Sequence, residues 1–216
     1  MSSEGGGCQF SSASHQHGSL QWWRRTRAVH HVSILFLVLM SVLADHRANA
    51  SSRLVEFFMP TGVFLQAGAG DSDTQSYTLG ALWDWRWQSQ TSLGKVTGYS
   101  EASFGRWTSA APQSSGGTWA TQAGITPVLR QFMDTAHGTY FAEIGIGANV
   151  ILPLYHSGRK QFSTQFNFGD HFAIGRQFGE LRKEEVSLRF QHYSNAGIDH
   201  PNPGENFFQL RYTHRF

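Results

Sequence analysis

The sequence predicts an all-β chain that closes into an eight-stranded antiparallel barrel crossing a membrane. Three observations carry the prediction. Charged residues make up only 15% of the 216 residues, aromatics reach 14%, and there are 23 glycines, a mixture suited to strands and tight turns. Several segments of about ten residues alternate between apolar and polar positions, the period of a strand with one face of each kind. The connections alternate as well. Short ones follow even-numbered strands, and mostly longer ones rich in Gly, Ser and Pro follow odd-numbered strands, the pattern of outer-membrane barrels.

The N-terminal residues stand apart. Arg24, Arg25 and Arg27 precede an apolar centre over residues 32–44, and Ala48-Asn49-Ala50 supplies a small-x-small cleavage pattern. This predicts a secretory signal removed after Ala50, behind a Ser/Gly/His-rich extension over residues 1–23. The barrel domain is then 51–216. Setting residues 1–50 aside leaves 13 basic and 13 acidic side chains, so the charge balance points to no nucleic-acid partner. Cys8, the one cysteine, is lost with the leader, which excludes a disulfide framework and a cysteine metal site. No window reaches the roughly 18 continuous apolar residues of a transmembrane helix.

The strands follow in order. The first spans 62–70. The second, 76–88, sets Tyr77, Leu79, Ala81, Trp83, Trp85 and Trp87 against Thr78, Gly80, Asp84 and Arg86, with tryptophans suited to an interfacial girdle. The third and fourth, 92–106 and 118–132, are less regular, and Pro127 cannot donate to a ladder. The fifth, 138–152, sets Ala142, Ile144, Ile146, Ala148 and Val150 against Glu143, Gly145, Gly147 and Asn149. The sixth, 162–178, carries Asp170 on the apolar parity of Phe166, Phe168, Phe172 and Ile174, so Asp170 either has a role or is moved by a bulge. The seventh, 185–194, has Val186, Leu188 and Phe190 on one face. The eighth, 206–216, sets Phe208, Leu210, Tyr212, His214 and Phe216 against Gln209, Arg211, Thr213 and Arg215, and its final phenylalanine resembles the assembly signal of bacterial outer-membrane barrels. A soluble lipocalin-type barrel has the same period turned inside out. The glycines and charges of the polar face, the leader and the terminal phenylalanine select the membrane form.

His192 and Ser194 continue the apolar parity of strand seven, so two polar groups lie in the lipid-facing row. Odd strands end on the outer side, which places both at the extracellular rim, where polar groups cost least. Histidine and serine at i and i+2 on one face can act as general base and nucleophile. Asn195 and the backbone around Gly197 are candidate oxyanion donors. By itself the H-x-S spacing is a weak signal and more often marks ordinary interface residues, as in a non-catalytic structural or adhesion barrel. His137, His156, His171, His200 and His214 show no metal-ligand spacing.

The segment "FQHYSNAGIDHPNPGENFFQLRY", with "FNFGDHFAIG" and "FAEIGIGA" upstream, resembles the PagL family of lipid A 3-O-deacylases. The resemblance covers most of the chain after residue 50 and is most specific over 192–204. It implies an eight-stranded outer-membrane barrel acting as a serine esterase on the acyl chain at the 3-position of lipid A. Its partners would be lipopolysaccharide and outer-membrane lipid, with no metal or cofactor, and dimerisation is left open. His192 carries over as the base and Ser194 as the nucleophile. Asn195 matches a position implicated in activity, and Asp170 matches a recurrent polar position. Outer-membrane phospholipase A, which also uses histidine and serine on a barrel exterior but usually with calcium and a longer chain, is the enzyme alternative.

The resemblance puts the third catalytic member twelve residues after the serine, where this chain has Asn206 in place of glutamate. Glu205 is adjacent. Asn206 shares parity with Phe208 and Leu210, the lipid side, whereas Glu205 shares parity with Phe207, Gln209 and Arg211, the lumen side. A bulge after Pro203-Gly204 would swing Glu205 across. Strand alternation favours Asn206, with Glu205 as the alternative.

Overall fold

The computed structural model describes residues 58–109 and 119–216. The predicted extension and signal peptide lie outside them. Eight strands run in chain order: β1 (Gly62–Gly70), β2 (Thr74–Thr91), β3 (Gly94–Ser109), β4 (Trp119–Thr135), β5 (Gly138–Leu152), β6 (Phe166–Phe178), β7 (Glu184–Ser194) and β8 (Glu205–Arg215). Each pairs antiparallel with the next, and β8 returns to β1 to close the barrel. The predicted spans agree with β1 and β5 residue for residue, and the other boundaries lie within three residues, except at the start of β6. There the strand begins at Phe166, not 162, because Phe162 turns inward: it is buried, and its N–H donates to the Tyr155 carbonyl at 2.9 Å.

The period-two pattern becomes two faces. Leu65, Leu79, Phe104, Ile125, Ile144 and Leu188 are each more than half exposed on the outer wall. Glu101, Arg130, Glu143, Glu185, Arg189 and Arg211 are buried inside. A soluble barrel has the opposite arrangement, and an apolar belt around a charged interior is what a hydrocarbon solvent requires.

Buried charges persist only when paired and hydrogen-bonded, and here they form a chain. Arg130 meets Glu143 and Glu185, each at 2.8 Å. Arg189 bridges Glu143 at 3.1 Å to Glu101 at 3.0 Å, and Arg211 closes on Glu101 at 2.7 Å. Above this chain, at the rim bearing the long connections, Trp107, Tyr155, Phe162, Tyr193 and Phe207 form an aromatic plug. Below it, Phe64, Leu82, Tyr99 and Val128 form a second cluster. The charge chain and the two clusters occupy the lumen between the described strands.

Two irregularities follow from particular residues. The register of β2 against β3 shifts by two residues between Asp84 and Gln88, which keeps Trp83, Trp85 and Trp87 on the parity of the outer wall. Trp87 is exposed, whereas Trp85 donates through Nε1 to Ser100 Oγ at 3.0 Å. In β4 the ladder to β5 skips Thr126 and Pro127 while the register on either side is kept, which accommodates the missing proline N–H. The connections at residues 92–93, 136–137 and 179–183 lie at one rim, and those at 71–73, 153–165 and 195–204 at the other.

Candidate active site

The end of β7 and the start of β8 build the site at the long-loop rim. Alternation along β7 buries Gln191 and Tyr193 and turns His192 and Ser194 outward. Alternation along β8 buries Glu205 and Phe207 and turns Asn206 outward. The β7–β8 register runs unbroken from Glu184 opposite His214 to Tyr193 opposite Glu205, so no bulge swings Glu205 to the outer wall. His192 is therefore the direct cross-strand neighbour of Asn206, and its Nδ1 lies 2.6 Å from Asn206 Oδ1.

The outward row extends further in both directions. On β6, Asp170 is opposite His192, and the β6 register is continuous on both sides, so Asp170 faces outward without a bulge. Its carboxylate makes no hydrogen bond to another described residue. On the other side, the Asp71 N–H donates to the Asn206 carbonyl at 3.0 Å, continuing the β1–β8 ladder one step past Gly70. Asp71 Oδ2 accepts from Asn206 Nδ2 at 2.8 Å. Asp170, His192, Asn206 and Asp71 thus form one polar row across β6, β7, β8 and the end of β1. The next row down is Phe172, Phe190, Phe208 and Ala69. Below the polar row, Phe172, Leu188, Phe190, Phe208, Leu210 and Ala67 line a shallow apolar groove on the outer wall.

Glu205 serves the interior. Its carboxylate accepts from the Ser72 N–H at 3.2 Å and from Ser72 Oγ at 2.8 Å, and Lys160 Nζ approaches to 3.4 Å. Lys160 Nζ also donates to Asp71 Oδ1 at 2.6 Å. In Asp71, burial acts to raise the pKa. The hydrogen bonds from Lys160 and Asn206 and the Lys160 charge outweigh it, holding the carboxyl at about 2.

The Asn195 side chain and the Gly197 N–H, named above as candidate oxyanion donors, are engaged within the β7–β8 loop. Asn195 follows Ser194 in an alternating strand, so its side chain turns inward and is buried. Its Nδ2 donates to Ser163 Oγ at 3.0 Å and to the Asp199 carbonyl at 2.9 Å, while its Oδ1 accepts the Gly197 N–H at 2.9 Å. Both groups hold the β7–β8 loop in shape. The backbone N–H of Asn195 donates to Asn202 Oδ1 at 3.1 Å, which brings the Asn202 amide beside Ser194 and leaves its Nδ2 without a bond to a described residue. Ser194 Oγ and His192 Nε2 likewise make no hydrogen bond to a described residue. Two residues of strand rise separate their Cα atoms by about 6.6 Å on one face.

Gly204 sets the position of the imidazole. Its φ is +66°, in the left-handed region, and a Cβ there would sit 2.7 Å from His192 Cε1. Only a residue without a side chain lets the ring lie against this backbone. Asp71, Asn202 and Gly204 were not singled out from the sequence. The outward parity of β1, running from Val63 to Ala69, would have reached Asp71 had the strand been followed one step further.

Comparison with known proteins bears on this geometry. The family model for lipid A 3-O-deacylase (PagL) matches residues 75–215. The chain belongs to the PagL family. It is 33% identical to the lipid A deacylase PagL of Bordetella bronchiseptica over 158 residues, 72% of this chain and 83% of that one. It is 31% identical to the lipid A deacylase PagL of Pseudomonas aeruginosa over 177 residues, 81% of this chain and 93% of that one. A crystal structure of the outer membrane enzyme PagL superposes with a TM-score of 0.62 at 28% identity, covering 72% of this chain and 99% of that one. The apolar outer belt and charged interior are those of an outer-membrane barrel of the PagL family, and its short turns mark the periplasmic rim. The polar row then lies at the extracellular rim.

Proposed function

We propose that this barrel hydrolyses the ester-linked 3-hydroxyacyl chain at the 3-position of lipid A in the outer leaflet. The observation that carries the reading is the His192–Asn206 hydrogen bond on the lipid-facing wall, two residues from Ser194 on the same strand. An ester in the membrane reaches this wall without entering the barrel.

The chemistry follows from the proton positions. Asn206 Oδ1 accepts from His192 Nδ1–H, which leaves the Nε2 lone pair to take the Ser194 proton as Oγ attacks the ester carbonyl. The imidazolium then protonates the sugar alkoxide as the C–O bond breaks and the acyl chain passes to Ser194. Water, deprotonated by the same nitrogen, releases the fatty acid and restores the serine. The Asn202 Nδ2–H group, beside Ser194 and otherwise unengaged, is a donor for the developing oxyanion. The apolar groove under the row offers the departing acyl chain a surface of its own kind.

Mass spectrometry of lipid A from cells expressing the chain tests this. The expected result is loss of one 3-hydroxyacyl group, absent with Ser194→Ala. Unchanged lipid A with hydrolysed phospholipid would assign the site to a phospholipase, and no change in either lipid would make it non-catalytic.

A further inference from the structure

We infer that Asp71, in the β1–β2 turn, is a positioning residue that supplies the charge missing from Asn206 and fixes the tautomer of His192. This rests on the reading of Ser194, His192 and Asn206 given above. An asparagine amide is a poor stand-in for a carboxylate in two respects. It carries no charge to stabilise an imidazolium, and it can turn either its oxygen or its nitrogen towards the ring. In the second orientation, Nδ2–H would face His192 Nδ1, forcing the lone pair onto Nδ1 and the proton onto Nε2. The histidine could then no longer accept the Ser194 proton.

Asp71 removes both defects. A carboxylate is an acceptor only, so the group 2.8 Å from Asp71 Oδ2 must be the Asn206 N–H. That places Asn206 Oδ1 against His192 Nδ1 at 2.6 Å and puts the proton on Nδ1. The negative charge stands one amide away from the imidazole instead of touching it. Asp71 is itself held from two sides. Its backbone N–H bonds the Asn206 carbonyl at 3.0 Å, and Lys160 Nζ, from the β5–β6 loop, donates to Oδ1 at 2.6 Å. Among the described residues, the charged groups around the pair are few. Lys160 and Glu205 face Asp71, the Arg159–Asp73 pair at 3.1 Å lies at the same turn, and Asp170 faces His192 from β6. Lys160 sits between Asp71 and Glu205, neutralising part of each while leaving Oδ2 of Asp71 for the amide.

The test uses the mature protein in detergent micelles with purified lipid A, following release of 3-hydroxy fatty acid against pH. Heat-modifiable gel migration confirms a native barrel for each variant. Asp71→Asn is expected to lower kcat by about 10- to 100-fold with little change in KM. It should also move the acid limb of the pH profile to lower pH, because an imidazolium deprived of a nearby anion loses its proton more readily. In an Asn206→Ala background, Asp71→Asn should cost nothing more, since the amide that transmits its effect is gone. In an Asn206→Glu background, where a carboxylate touches the ring directly, Asp71→Asn should no longer lower the rate. The inference is overturned if Asp71→Asn keeps the wild-type rate and pH profile while Asn206→Ala loses activity. It is equally overturned if Asp71→Asn lowers the rate as much without Asn206 as with it. A wild-type rate for Asn206→Ala would instead remove the underlying reading of the site.

Discussion

Glu205 and Asn206 are neighbours in the chain and lie on opposite sides of the barrel wall. Asn206 Oδ1 is 2.6 Å from the His192 ring, while Glu205 is fully buried and takes two hydrogen bonds from Ser72. Sequence proximity to the family's glutamate position is therefore a poor guide to which side chain serves the histidine. Asn206→Ala should lower kcat by about 10²- to 10⁴-fold in a folded barrel. Glu205→Gln should leave the rate per folded molecule near wild type but destabilise the barrel by about 1–3 kcal/mol, because a buried acceptor set is disturbed. Fatty-acid release and thermal unfolding, measured on both variants, separate the two roles.

Ser194→Ala removes the nucleophile and nothing structural, since Ser194 Oγ bonds no described side chain. Deacylation should fall by at least about 10³-fold with an unchanged unfolding midpoint. A residual rate within tenfold of wild type would place the attacking group elsewhere.

Gly204→Ala should behave as an active-site variant although residue 204 carries no chemistry. The new Cβ would meet His192 Cε1 at 2.7 Å and would also sit at a φ of +66°. The ring must move, and a displacement of about 1 Å costs on the order of 10² in rate. The expected result is a loss of kcat of that size. A control at Gly158, where a Cβ meets nothing within 4 Å, should show none.

The Asp71 carboxyl is held at about 2, below its ordinary 3.8. A group with a depressed folded-state pKa stabilises the fold above its unfolded value and loses that contribution as pH falls through the folded one. The difference in unfolding midpoint between wild type and Asp71→Asn should therefore be constant from neutral pH down to about 4 and shrink between about 4 and 2. Its magnitude is small, because the carboxylate is partly exposed and solvent screens it.

In the interior, Glu101 is the sole bridge between Arg189 and Arg211 among the described residues. Glu101→Gln leaves two buried guanidinium groups short of a counter-charge, and the expected cost is about 3–5 kcal/mol. Denaturant titration in detergent measures it. The deacylation rate of the surviving folded fraction should be unchanged, because this chain of charges does not touch the outer wall.

How much of this could be read from the amino acids alone depends on the range of the interactions. Strand alternation is local, so His192, Ser194 and Asn206 could be placed on one face from residues 186–194 and 206–216 alone. The same rule applied to residue 195 would have turned Asn195 inward, where its side chain braces the loop. For Asp71, parity gives the outward face but not the contact. It meets Asn206 only because β1 and β8 close the barrel, 135 positions apart, and no periodicity reports which strand ends become neighbours. Gly204 was hidden likewise, since its close approach to His192 depends on the path of the loop and not on the strand pattern.

The polar row stands on the outer wall, with a charge chain and two buried clusters behind it, so the barrel is a surface on which chemistry happens and not a vessel into which a molecule diffuses. Encounter with substrate is then a two-dimensional search. Turnover in mixed micelles or vesicles should follow the mole fraction of lipid A in the surface, and diluting that surface with inert detergent should slow the reaction even when the bulk amount of lipid A is constant.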